Sequence, residues 1–248
     1  MILFENVTKK YGDTYAIKGL SFEVKKGEVF GFIGPNGAGK TTTIKIMAGI
    51  AKPTFGKVLV NGNDISVDPV AVKKNIGLIP EHPYIYEKLT GREVLWFVGK
   101  MFGMDNKEIK LRCDEILSYF NLSSKTDDVV GNYSHGMKQK LVIASALIHS
   151  PELLIIDEPM VGLDPKSARQ IKNIIRTMAD GGGTVFMSTH TLELAESICD
   201  RIAVINRGEI IATGTMNELQ ELSGSTGERL EEIFLTLTEE SPDDKIES

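Results

Sequence analysis

The stretch Val29-Phe30-Gly31-Phe32-Ile33, running straight into Gly34-Pro35-Asn36-Gly37-Ala38-Gly39-Lys40-Thr41, narrows most what this chain can fold into. A continuous apolar run bounded by glycine is the pattern of a strand buried on both faces, as in a parallel sheet. Thr41 to Ile50 reads as a helix, so the glycine-rich segment joins strand to helix. Gly34-x-x-x-x-Gly39-Lys40-Thr41 matches the phosphate-binding loop pattern in full. Its glycines let the backbone curl so that successive amides face inward. The helix behind it begins with free amides and a positive dipole end, which suits an anion. Lys40 is placed to reach β- and γ-phosphates, the Thr41 hydroxyl to coordinate Mg²⁺, and Thr42 to contact the α-phosphate.

The rest of the chain supports an α/β reading. Ile2-Leu3-Phe4 and Ser21-Phe22-Glu23-Val24 alternate like strands, and Lys57 to Val60 followed by Asn61-Gly62 reads as a strand entering a hairpin turn. A short helix over 70–75 precedes a strand at 76–79, stopped by Pro80. Residues 90–150 are helical in pattern, opened by a capping box at Thr90-Gly91-Arg92-Glu93. Apolar strands recur at 153–156 and 184–187, separated by a helix over 167–179. A helix over 192–199 and strands at 201–205 and 209–213 follow. This order is an α/β sheet with a helical insertion. Beyond Gly224 the chain is acidic and polar. Residues 230–237 suit an amphipathic turn or two, and Ser241 to Ser248 suit a disordered tail.

Composition sets limits on function. With 248 residues, 42% hydrophobic, the chain has material for one large core. A formal net charge of −6 argues against a nucleic-acid partner, since phosphate neutralisation supplies most non-specific affinity there. Cys113 and Cys199 have neither CxxC spacing nor a neighbouring His, and read as buried reduced thiols. No apolar run approaches the ~20 residues that cross a bilayer, and no charged-then-apolar leader is seen. The expectation is a cytoplasmic protein whose membrane role comes through a partner.

A second site motif is Leu153-Leu154-Ile155-Ile156-Asp157-Glu158. A buried strand that delivers Asp157 at its carboxyl end can set it beside the Mg²⁺ of a neighbouring phosphate loop. Glu158 can then polarise an attacking water. Together the two motifs indicate nucleoside-triphosphate hydrolysis.

Between them, Asn132-Tyr133-Ser134-His135-Gly136-Met137-Lys138-Gln139-Lys140 opens a helix about twenty residues before Asp157. Here the sequence resembles the ATP-binding-cassette (ABC) family, in the form of bacterial export-type, ABC-2-like cassettes that handle drugs, antibiotics or polysaccharides. The family's signature is a Ser-Gly-Gly-Gln-type loop: Ser134 and Gly136 match it, while His135 and Met137 depart. Ser134 is also a helix N-cap with free amides behind it. The order of motifs continues with Val161-Gly162-Leu163-Asp164-Pro165, which resembles the family's Asp-containing loop, and with Ser188-Thr189-His190. By resemblance, Asp164 belongs to the nucleotide site and His190 is the switch histidine that contacts the γ-phosphate and the attacking water. Tyr11 stands where the family carries an aromatic stacked on adenine. Where the family usually places a Gln touching Mg²⁺, this chain has Glu81 after Pro80. Glutamate keeps the oxygen ligand and adds a charge.

The resemblance implies a P-loop NTPase (RecA-like) parallel sheet core, an N-terminal antiparallel β subdomain and a helical subdomain inserted over about 88–150. It places an ATPase domain at 1–222 and an acidic, partly disordered tail at 223–248. The implied catalytic residues are Glu158, His190 and Lys40, and the cofactors are ATP and Mg²⁺. The implied nucleotide contacts are Tyr11, Gly34, Pro35, Asn36, Gly37, Ala38, Gly39, Lys40, Thr41, Thr42, Ser134, Gly136 and Asp164. The metal ligands are Thr41, Glu81 and Asp157. The implied partners are a second cassette, identical or different, and a separate integral-membrane subunit, with the chain peripheral on the inner face of the cell membrane. Tyr84, Ile85 and Tyr86 read either as contacts for that subunit or as packing for the helical insertion. The competing function is an ABC ATPase that moves no solute, of which an iron–sulfur cluster assembly ATPase is nearest in size.

Overall fold

The computed structural model describes residues 1–158, 164–224 and 229–239. Two sheets organise it. Strands β1 (Ile2–Tyr11), β2 (Thr14–Val24), β4 (Phe55–Val60) and β5 (Asn63–Asp64) form an antiparallel sheet in the order β2-β1-β4-β5. The turn from β4 to β5 has φ 51° at Asn61 and 76° at Gly62, the left-handed pair that a two-residue hairpin requires.

The second sheet runs β10-β9-β3-β8-β7-β6. Its members are β3 (Val29–Ile33), β6 (Ile76–Ile79), β7 (Leu153–Asp157), β8 (Thr184–Thr189), β9 (Arg201–Asn206) and β10 (Glu209–Gly214). All neighbours are parallel except β9 and β10. The strand carrying Asp157 therefore does not adjoin the phosphate-loop strand; β8 lies between them. Every residue of β3, β7 and β8 is buried, as parallel pairing with both faces covered demands.

Alternation along these strands feeds two cores. Phe30, Leu153, Ile155 and Phe186 face the antiparallel sheet, whereas Val29, Leu154, Ile156, Val185 and Met187 face the helices. Between the sheets Phe22 stacks on Phe4 at 4.5 Å and on Phe30 at 5.8 Å. Each such side chain contributes about 1.5–3 kcal/mol by leaving water.

The helical insertion lies between β6 and β7. It comprises α3 (Gly91–Met101), α4 (Asn106–Tyr119) and α5 (His135–Leu147), after the earlier helices α1 (Lys40–Met47) and α2 (Pro69–Lys74). The Thr90–Glu93 capping box is complete in both directions. Helix α1 ends three residues before the expected Ile50, because Gly49 adopts φ 64° and closes the turn. Helices α6 (Pro165–Asp180), α7 (Leu192–Ile198) and α8 (Met216–Leu222) complete the parallel unit.

Beyond residue 222 the chain continues into one more helix. Leu230–Glu239 forms α9, and Leu230 and Ile233 are fully buried against Ala195, Val204 and Leu219. The expected Ser241–Ser248 tail lies outside the described residues. Cys113 is buried and Cys199 half-buried, both as free thiols. Among the described residues no helix is long and apolar enough to cross a membrane.

Candidate active site

The loop 34–39 connects β3 to α1 and needs glycine at two kinds of position. At Gly34 an added Cβ would collide with the backbone carbonyl of Ile205. Gly39 has φ 110°, and a Cβ there would lie 2.6 Å from the Ala16 carbonyl. Gly39 is also the N-cap of α1 and offers no side chain, and no acidic residue occupies the first turn. The amides at the start of α1 thus stay open to an anion.

A cavity of about 390 Å³ opens over this helix end. Asn36, Gly37, Gly39, Lys40, Thr41 and Thr42 line it together with Glu81, Asp157, Glu158, His190 and Ala16. The sequence motifs from four separate strand ends, those of β3, β6, β7 and β8, therefore meet in one place, at the carboxyl edge of a parallel sheet. Gly34, Pro35 and Ala38 do not line the cavity. They shape it: Lys40 Nζ donates to the carbonyls of Gly34 (2.7 Å) and Pro35 (3.1 Å), and Ala38 packs into the core.

Electrostatics make this a site for a cation–anion pair. Burial pulls the Lys40 ammonium below its ordinary range, and Glu158, Asp157 and Glu81 push back by favouring its charge. Asp157 accepts from the Thr41 hydroxyl on Oδ2 at 3.2 Å and from the Ser188 hydroxyl on Oδ1. Three carboxylates against one ammonium leave no room for a polyanion alone. Thr41, Asp157 and Glu81 supply only oxygen, the donor set a hard divalent cation prefers. Among the described residues no cluster of three His, Cys, Asp or Glu could hold an ion unaided. The residues present therefore fit Mg²⁺ whose remaining ligands come from phosphate and water.

Glu158 is held tightly. It has φ 53°, a conformation unfavourable for a non-glycine residue and kept only where the surroundings enforce it. Its Oε1 accepts the His190 backbone N–H at 3.0 Å and lies 2.8 Å from His190 Nδ1; its Oε2 accepts from Thr189 Oγ1 at 3.2 Å. Because an ionised carboxylate only accepts, Nδ1 carries the proton in this contact. The carboxylate is 7% exposed, while the His190 side chain is 59% exposed and faces the opening. A carboxylate and an imidazole so placed can polarise a water and hold a terminal phosphate.

Four further residues implied for the nucleotide, Tyr11, Ser134, Gly136 and Asp164, do not line the cavity in this chain. Tyr11 is exposed on the β1–β2 hairpin, with the Lys9 ammonium 4.8 Å from its ring centroid. Ser134 caps α5 by accepting the Met137 N–H, and Gly136 follows in that first turn. Asp164 caps α6: it accepts from Lys166 N, Ser167 N and the Ser167 hydroxyl, and that hydroxyl above all holds its carboxyl below the usual range. Val161, Gly162 and Leu163 lie outside the described residues. Conversely, Ser188, Thr189 and Ala16 were given no role by sequence reasoning. The available signal was a Ser-Thr pair ending an otherwise apolar strand just before His190.

Comparison with known proteins gives the family. The family model described as "ABC transporter" matches residues 17–161. The chain is 42% identical to the linearmycin resistance ATP-binding protein LnrL of Bacillus subtilis, over 91% of this chain and 73% of that protein. It is 40% identical to the Nod factor export ATP-binding protein I of a Rhizobium species, over 87% of this chain and 71% of that protein. Among solved structures, an ATP-binding subunit of an ABC transporter superposes with TM-score 0.91 at 32% identity, covering 96% of this chain and 99% of that one. A dimeric ATP-binding cassette in a post-hydrolysis state, bound to ADP and Pi, gives TM-score 0.79 at 26% identity, covering 87% and 99%. With a phosphate loop, two carboxylates and a histidine converging on one cavity, the chain belongs to the ABC transporter family as an ATP-binding and ATP-hydrolysing cassette.

Proposed function

We propose that this cassette powers export through a separate integral-membrane subunit, working in a head-to-tail pair of cassettes on the inner face of the membrane. In this reading residues 1–222 are the ATPase unit, and the helical insertion over about 88–150 presents the Ser134 loop. The observation that carries it is the division of the site. The phosphate loop, Asp157, Glu158 and His190 share one cavity, while Ser134, Gly136 and Asp164 sit outside it on helix N-termini. A second cassette bringing its own Ser134 loop completes the site, so ATP closes the pair and hydrolysis reopens it.

Each residue then has a task. Amides of the loop and of the start of α1, with Lys40 and Thr42, bind phosphate oxygens. Thr41, Asp157 and Glu81 hold Mg²⁺, which when bound neutralises charge on the β- and γ-phosphates. Glu158 orients and polarises the water, and His190 holds the γ-phosphate side. Tyr11 stacks on adenine. Export as the direction is supported by the resistance and export relatives. Glu81 lines both the phosphate cavity and the adjoining groove under residues 81–89, where Tyr84 is 87% exposed. That exposed aromatic is the contact offered to the membrane subunit.

The test is Glu158→Gln. It should retain ATP binding, lose turnover by a factor on the order of 10³, and elute as an ATP-dependent dimer in size-exclusion chromatography with light scattering. Normal turnover would overturn the role of Glu158, and a monomer at saturating ATP would overturn the composite site.

A further inference from the structure

Strand β8 lies between β3, which leads into the phosphate loop, and β7, which carries Asp157 and Glu158. It runs Thr184-Val185-Phe186-Met187 and then ends in two hydroxyls, Ser188 and Thr189. Both are buried, at 0% and 1% exposure, where an unpaired hydroxyl is costly. Each satisfies itself on a different carboxylate. Ser188 stands opposite Asp157 in the parallel register and donates to Oδ1, which leaves Oδ2 turned toward Thr41. Thr189 accepts the Thr191 N–H at 3.0 Å, which directs its own O–H to Glu158 Oε2 at 3.2 Å. The Glu158 N–H donates to the Ser188 carbonyl at 3.1 Å, so the end of β8 also holds the strained backbone of Glu158. Neither hydroxyl residue lines the cavity.

We propose that these consecutive hydroxyls are two separate positioning residues: Ser188 aims the Asp157 carboxylate at the metal position, and Thr189 aims the Glu158 carboxylate at the water. The assignment rests on the roles given above to Asp157 and Glu158. It predicts separable defects, because the two hydroxyls act on different carboxylates. Removing the Thr189 hydroxyl disturbs the chemical step and leaves ATP binding alone. Removing the Ser188 hydroxyl weakens the part of nucleotide affinity that depends on magnesium.

The experiment uses the purified full chain at a concentration that permits pairing, with kcat, KM for ATP, melting temperature, and ATP affinity measured in Mg²⁺ and in EDTA. Thr189→Val and Thr189→Ala should lower kcat roughly 10- to 100-fold with KM within about threefold, the range expected when a supporting hydrogen bond is lost. Thr189→Ser should restore kcat to within about threefold of the parent. Ser188→Ala should bind ATP normally in EDTA and lose about tenfold of the affinity gained on adding Mg²⁺. Three results would overturn the proposal. One is parental kcat in both hydroxyl-less Thr189 variants while Glu158→Gln is inactive. Another is Thr189→Ser as impaired as Thr189→Val at an unchanged melting temperature. The third is equal loss of affinity with and without Mg²⁺ in Ser188→Ala. Normal turnover by Glu158→Gln would instead overturn the underlying role of Glu158.

Discussion

Lys40→Ala tests the electrostatic design of the cavity. Among the described residues, Lys40 is the one ammonium facing it, against Glu81, Asp157 and Glu158. With His190 neutral the lining carries a net charge of −2, and the substitution makes it −3. Two unit charges about 4 Å apart at an effective dielectric near 20 interact by about 4 kcal/mol. The cavity opens to water, which screens the field, so the realised loss on a triphosphate should be about 3 kcal/mol. That is a rise in Kd of roughly two orders of magnitude. Stability should move far less. The variant loses the Lys40 bonds to the Gly34 and Pro35 carbonyls, but it also loses an ammonium that burial penalises. These terms oppose each other, and a net change within about 1 kcal/mol is expected. Equilibrium titration with a fluorescent ATP analogue at fixed Mg²⁺ reads the first quantity, and a circular-dichroism melt reads the second. An affinity within about threefold of the parent would refute the assignment of Lys40 to the phosphates.

Gly39→Ala combines a left-handed φ with the 2.6 Å approach to the Ala16 carbonyl. It should destabilise the fold by about 2–3 kcal/mol in urea titration. Gly37→Ala, with open space at its Cβ and φ 82°, should cost only about 1 kcal/mol. Equal losses would refute the argument from close approach. The Glu93 carboxyl is held below its ordinary range by the Thr90 backbone and hydroxyl bonds. Its folded pKa is depressed, so it stabilises above the unfolded pKa and that contribution fades as pH falls through the folded value. Urea midpoints of Glu93→Gln and the parent should differ at pH 7 and converge in acid; a gap that widens in acid would contradict the capping box. Burial pushes the Cys113 thiol up to about 11 and Cys199 up to about 12. Neither should react with a thiol reagent at pH 8 in the folded chain, and both should react in denaturant.

The parts legible in the chain were those whose causes are local. The phosphate loop, the helix cap at Thr90, the hairpin at Asn61-Gly62 and the buried strands at 153–156 and 184–187 each announce themselves within a few residues. The amphipathic turn expected over 230–237 was legible in the same way, as α9, but not where it packs. Leu230 and Ile233 pack α9 into a core that Ala195, Val204 and Leu219 complete from elsewhere. Ser134 and Asp164 were expected at the site only through the order of motifs, and within the single chain both act as helix caps.

Short stretches of chain carry the chemistry: a loop only glycine can form, a lysine and threonine behind it, and two carboxylates at the end of an apolar strand. These follow from backbone sterics and residue type, which act between neighbours in the chain. The strand order, and with it the insertion of β8 between β3 and β7, emerges only in the folded chain. That choice depends on burying both faces of every strand at once, a non-local condition that no short window contains. It sets Ser188 and Thr189 against Asp157 and Glu158, thirty-one residues away in sequence, in a site where alternation alone showed only the end of a strand.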